Sequence, residues 1–80
     1  MTTPPLTLAA IRDGAEARVL HFGAMNDAYR NRLMSMGLTP GTVFKVERRA
    51  PMGDPIEISL RGFRLSLREV ESREMRVEAV

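Results

Sequence analysis

Apolar and polar residues alternate with period two in four stretches of the chain. These are Glu16 to Phe22 (EARVLHF), Val43 to Arg49 (VFKVERR), Ile56 to Leu67 (IEISLRGFRLSL) and Met75 to Val80 (MRVEAV). Period two is the signature of strands with one buried face. The third stretch is broken once, by Arg61-Gly62, which predicts two strands joined by a two-residue loop. That loop sets Leu60 opposite Phe63, Ile58 opposite Leu65 and Ile56 opposite Leu67, so all six apolar residues share one face. On the other face Ser59 meets Arg64 and Glu57 meets Ser66, with Glu57 diagonal to both Arg64 and Arg68. Arg-Gly is not the favoured Asn-Gly pair, so a bulged turn with Gly62 in the left-handed region is the alternative.

Between the first and second strands the period changes. Tyr29, Leu33 and Met36 recur at i, i+4 and i+7, one face of a short helix. Asn26 or Asp27 is suited to its N-cap. Gly37 stands where a left-handed C′ residue is wanted, and Leu38 is placed to fold back onto Leu33 in a Schellman motif. Pro40-Gly41 then fits the centre of a type II turn. Thr7 to Ile11 reads as an apolar lead-in to a Gly-containing turn, and Val70 to Glu74 as a helical turn. Five short strands and one short helix predict a mainly β fold. The expected architecture is a small closed or half-closed five-stranded barrel, with the helix between strands one and two plugging one end, because closure removes exposed edges. Phe44, Val46 and Phe63 are expected to face inward.

Length fits one domain, with a thin core: the chain has 80 residues. Residues 1–5, which include Pro4 and Pro5, are expected to be a disordered tail, leaving 6–80 as the domain. The absence of cysteine excludes disulfides and thiolate metal sites. No run approaches the roughly 18 to 20 apolar residues of a membrane span. The start lacks the basic and apolar regions of a secretory signal, so a cytoplasmic location is expected. Formal charge is only +2, yet all twelve cations except Lys45 are arginines. Arginine is the residue of bidentate and interface contacts, although the interspersed acids also permit a solvated face of ion pairs.

Candidate chemistry is sparse. His21 is the single imidazole, and a zinc-type centre needs three or four N or S ligands. His21 is therefore the one candidate metal ligand, and at most weak or adventitious divalent metal binding is expected. Glu69, Glu71 and Glu74 fit an exposed turn. The sequence offers no phosphate loop, activated nucleophile or paired carboxylates, so no enzyme and no cofactor are expected. Single-stranded nucleic acid needs exposed aromatic platforms, and with Phe44 and Phe63 inward no exposed aromatic pair remains, so no specific nucleic acid partner is expected. What is left is a protein-binding module. Its candidate surface joins the helix, with Arg30 and Arg32 beside Met34 and Met36, to the loop carrying Arg49 and Met52, methionine being adaptable at interfaces. An exposed strand edge also leaves room for a homodimer.

The run RNRLMSMGLTPGTVFKVERRAPMGDPIEISLRGFRLSLRE covers about half the chain and resembles the ferrous iron transport protein A family. Three motifs carry the likeness. Met36 to Thr42 reads M-G-L-T-P-G-T, Arg48 to Ile58 reads R-R-A-P-M-G-D-P-I-E-I, and Arg61 to Leu65 reads R-G-F-R-L. Ile11 and Gly14 fit the family's opening more loosely. Met34, Met36 and Met52 stand where the family carries leucine, which preserves hydrophobicity. The resemblance implies an SH3-like barrel and a role in bacterial ferrous iron uptake. It implies a small accessory protein that binds the cytoplasmic GTPase region of the ferrous iron permease and modulates transport from the inner face of the membrane. The C-terminal SH3-like domain of iron-dependent repressors looks similar. It offers the alternative of a transition-metal-responsive regulatory module using carboxylates and His21.

Overall fold

The computed structural model describes residues 5–80, so residues 1–4 of the expected tail lie outside it; Pro5 is exposed. Strands β1 (Glu16–His21), β2 (Val43–Arg49), β3 (Ile56–Leu60), β4 (Phe63–Leu67) and β5 (Arg76–Ala79) form one antiparallel sheet. Helix α1 (Asp27–Ser35) lies between β1 and β2, and the one-turn α2 (Glu69–Ser72) lies between β4 and β5. The apolar lead-in is a 3₁₀ turn over Leu8–Ala10 that buries Leu8. The fold is mainly β with one short helix between the first two strands, as the sequence predicts.

Sheet order is β4-β3-β2-β1-β5. No ladder joins β4 to β5 among the described residues, so the barrel is loose rather than fully closed. The β5 side is sealed another way. Leu6 and Val77 exchange both backbone hydrogen bonds, at 2.9 and 2.8 Å, so the segment before the 3₁₀ turn covers that edge. The β3–β4 register pairs Leu60 with Phe63, Ile58 with Leu65 and Ile56 with Leu67. Arg61 and Gly62 both have positive φ, 49° and 84°, which makes the connection a two-residue type I′ turn rather than a bulged one.

The core follows the alternation. Ala17, Val19, Phe44, Val46, Ile56 and Ile58 are buried from the strands, and Leu33 and Leu38 from the helix and its exit. Phe63 departs from expectation: it is 64% exposed. Its partner Leu60 is covered, but β4 is the end of the sheet, and with the barrel open nothing lies over the hairpin tip.

Helix α1 is fastened at both ends. Asn26 accepts a hydrogen bond from the Tyr29 amide at 3.2 Å, which makes it, of the two candidates Asn26 and Asp27, the N-cap, with Asp27 in the first turn. At the other end Gly37 has φ 96°; its N–H reaches the Met34 carbonyl and the Leu38 N–H the Leu33 carbonyl, each at 3.0 Å. These two bonds define the Schellman motif. The Thr39–Thr42 turn closes at 2.9 Å, and its Gly41 N–H donates to the Val19 carbonyl at 2.7 Å while Thr42 accepts from Val19 at 2.9 Å. The helix exit is thereby bonded to β1.

Candidate interaction surface

The two ends of the sheet use their arginines differently. Arg49, at the end of β2, is turned toward the 3₁₀ segment. Its guanidinium pairs with Asp13 and donates to the carbonyls of Ile11 and, at 3.0 Å, of Ala9. With its side chain only 21% exposed, Arg49 ties the chain's opening segment to the sheet. Glu57 is bracketed by arginines as expected, though by a different pair. Arg64 reaches it at 2.9 Å and Arg48 at 3.5 Å, not Arg68. The cause is the bulge in β2 between Val46 and Arg48, which sets Arg48 opposite Glu57.

Around β4 the arginines are less committed. Arg32, Arg61 and Arg68 are exposed, and none of them takes part in the ion pairs of the described residues. A groove of about 510 Å³ runs here between α1 and β4. Tyr29, Arg32, Leu33 and Met36 form the helix wall, consecutive residues Arg64 to Arg68 form the other, and Pro55 and Glu71 also line it. Alternate residues of a strand point to opposite faces. Four consecutive strand residues, Arg64 to Leu67, line this groove together with Arg68 just past the strand, as they do where a groove looks onto the strand's edge. Met36 and Leu65 continue along the groove to the exposed Phe63.

Tyr29 sits within this wall, and burial raises its phenol above the ordinary tyrosine value, helped by nearby Glu71 and opposed by Arg32. On the solvent face, a hydrogen bond from the Ser59 hydroxyl at 2.6 Å lowers the Glu47 carboxyl below its ordinary range.

Of the residues singled out in the sequence, the groove brings Arg32 and Met36 together. Arg30 is paired with Asp27 one turn away at 2.7 Å. Met34 is partly exposed on the helix but does not line the groove, and Met52 is 94% exposed at the tip of its loop. Arg49 belongs to the 3₁₀ contact instead. Phe63, Leu65 and Arg68 lie outside the sequence candidates, because alternation assigns Phe63 and Leu65 to the core face and does not say which strand ends the sheet. The signal available in the sequence was the position of Phe63 beside the turn, at the hairpin end.

His21 is exposed at the bulged end of β1, opposite Arg76. No group of three or more His, Cys, Asp or Glu side chains suited to holding a metal ion occurs among the described residues. No helix among them is long and apolar enough to cross a membrane.

Known proteins share this architecture. The FeoA protein of Chlorobium tepidum is 37% identical, with a TM-score of 0.86 over 94% of this chain and 70% of that one. The zinc-complexed FeoA of Stenotrophomonas maltophilia, an SH3 domain protein, is 25% identical, with a TM-score of 0.77 over 91% of this chain and 89% of that one. A manganese-dependent transcriptional repressor shares the fold at a TM-score of 0.84, but at 19% identity and over 44% of its own length. The FeoA domain pattern itself matches residues 6–79, spanning the sheet, both helices and the groove, and on that match the chain belongs to the FeoA family.

Proposed function

We propose that this protein is the accessory component of bacterial ferrous iron uptake that binds the cytoplasmic GTPase region of the ferrous iron permease, at the inner face of the membrane, and modulates transport. The observation that carries the reading is the groove between α1 and β4. It combines adaptable apolar residues, Met36 and Leu65, with Arg32 and Arg68, which have no ion-pair partner among the described residues, on a chain of the FeoA family. Apolar anchors beside arginine are the composition of protein-recognition surfaces. The reading assigns no catalytic step and no cofactor to the chain.

Calorimetry against the isolated cytoplasmic domain of the permease, at physiological salt and with and without guanine nucleotide, tests it. Saturable binding that is lost in Met36→Asp and retained in Met52→Asp is expected. Absence of binding in both nucleotide conditions overturns the reading.

The likeness of fold to the manganese-dependent repressor favours a second reading, a transition-metal-responsive regulatory module. Titration with ferrous or zinc ion separates the two. Micromolar binding lost in His21→Ala supports sensing, and silence up to millimolar metal removes it.

A further inference from the structure

The free edge of β4 has a definite hydrogen-bonding pattern. A two-residue turn makes Leu60 and Phe63 a hydrogen-bonded pair, and such pairs alternate with non-bonded ones along an antiparallel ladder. In the observed register Phe63, Leu65 and Leu67 therefore spend their N–H and C=O groups on β3. Arg64 and Ser66 direct theirs away from the sheet, along the α1–β4 groove. Among the described residues no backbone hydrogen bond reaches either from outside the sheet. At the opposite edge Leu6 performs that service for Val77.

We propose that the edge of β4 accepts an extended partner segment as an added strand, one carrying acidic side chains on one face and apolar side chains on the other. Four backbone groups, the N–H and C=O of Arg64 and of Ser66, set its register. Alternation then sorts its side chains. One set meets Phe63 and Leu65, with Met36, the C-cap of α1, beside them. The other set lies on the face of Arg64, with Arg61 at the hairpin turn and Arg68 just past the strand. Arg61 and Arg68 are exposed and unpaired among the described residues, and Arg32 faces the strand from the helix wall. The acidic residue lining the groove is Glu71. This charge selects the occupant: a second copy of the chain would align Arg61, Arg64 and Arg68 with their own counterparts on one seam, and like charges across a strand pair repel.

The inference deepens the proposed permease contact by naming the chemistry of the segment offered to this groove, but its test does not require the permease. The probe is a capped peptide of roughly seven alternating Glu and Val residues, long enough to span β4, compared with its Lys-for-Glu counterpart. The reporters are the amide resonances of the isotope-labelled protein. Saturable shifts centred on Arg64 and Ser66 are expected, with the Lys peptide weaker by about 10-fold or more. Methylating the peptide nitrogens that face β4 abolishes binding, as does Ser66→Pro. Because a proline in β4 threatens the fold itself, the double variant Arg61→Glu, Arg68→Glu provides the second test. Both side chains are exposed, and their reversal is expected to invert the preference between the two peptides.

Silence at Arg64 and Ser66 up to about 1 mM peptide overturns the proposal, and so does equal binding of the Lys peptide. A doubling of the 9.0 kDa mass without peptide that Ser66→Pro abolishes overturns it in favour of a second copy. Permease-domain binding with a silent peptide sinks the strand-addition mode alone. Peptide binding without permease binding sinks the permease alone.

Discussion

The two edges of this sheet are built from similar strands and end differently. At β5, Leu6 supplies the missing hydrogen bonds to Val77, the 3₁₀ turn behind it buries Leu8, and Arg49 holds that turn by two carbonyls and Asp13. At β4 none of this is present among the described residues. The edge faces a groove, Phe63 is exposed at its end, and of the neighbouring arginines Arg64 pairs with Glu57 while Arg32, Arg61 and Arg68 take part in no ion pair among the described residues. An edge left uncovered risks association with other chains. Charged residues along an edge blunt that association, and Arg64 lies on β4 with Arg61 and Arg68 at its two ends. One edge is therefore sealed into the core and the other left open, and substitutions at the two should differ in their effect on stability.

The largest effect is expected at the sealed edge. Leu8→Ala removes a fully buried side chain and should lower unfolding free energy by about 2–5 kcal/mol in urea titrations. Next comes Arg49→Ala, which removes the ion pair to Asp13 and the hydrogen bonds to the Ala9 and Ile11 carbonyls and should cost about 1–2 kcal/mol in the same assay. Arg68→Ala, at the open edge, should change stability by less than about 0.5 kcal/mol. Equal losses for Arg49→Ala and Arg68→Ala would erase the division. At the hairpin turn, Arg61→Asn places a residue tolerant of positive φ where arginine has φ 49°. It should raise the thermal midpoint slightly, by about 0.5 kcal/mol of stability.

The smallest effect is a titration. Tyr29 is the single tyrosine, so its ionisation is read directly from near-ultraviolet absorbance. Its phenol is raised above 10.0 by burial and Glu71, so the folded protein keeps a proton that the unfolded chain releases. Stability from this source is complete below the unfolded value and declines as pH rises from there through the folded value. Glu71→Gln should move the titration down and Arg32→Ala should move it up. Failure of both shifts would place Tyr29 outside the charged groove wall.

Much of the fold is legible in the sequence because separate local signals agree. In the β3–β4 hairpin the turn length and the alternation independently give the same register. For α1, Asn26 and Gly37 mark both ends through caps whose chemistry is local. Legibility ends where long-range pairing takes over. Nothing in the residues from Leu6 to Ile11 says that they will cover β5, and nothing in β4 says that it will end the sheet. The expectation of an inward Phe63 fails for that reason, since alternation gives the side chain's face but not whether anything lies over it. The Arg49 contact depends on the same unseen packing, because Asp13 and Arg49 are 36 positions apart. Of the candidate site, Arg32 and Met36 are recoverable from helix periodicity. Leu65 and Arg68 are not, because their place in the groove follows from an edge that only tertiary structure exposes.

The bonds from Gly41 and Thr42 to Val19 also bear on how the proposed contact would form. They fix the helix exit to the central part of the sheet, so α1 cannot swing away from β4 without breaking contacts that belong to the core. The helix wall of the groove is consequently tied to the sheet at the helix exit. For the partner segment proposed above, association would then need no slow rearrangement of the chain, little conformational entropy would be lost on this side, and affinity would be tuned mainly through the dissociation rate.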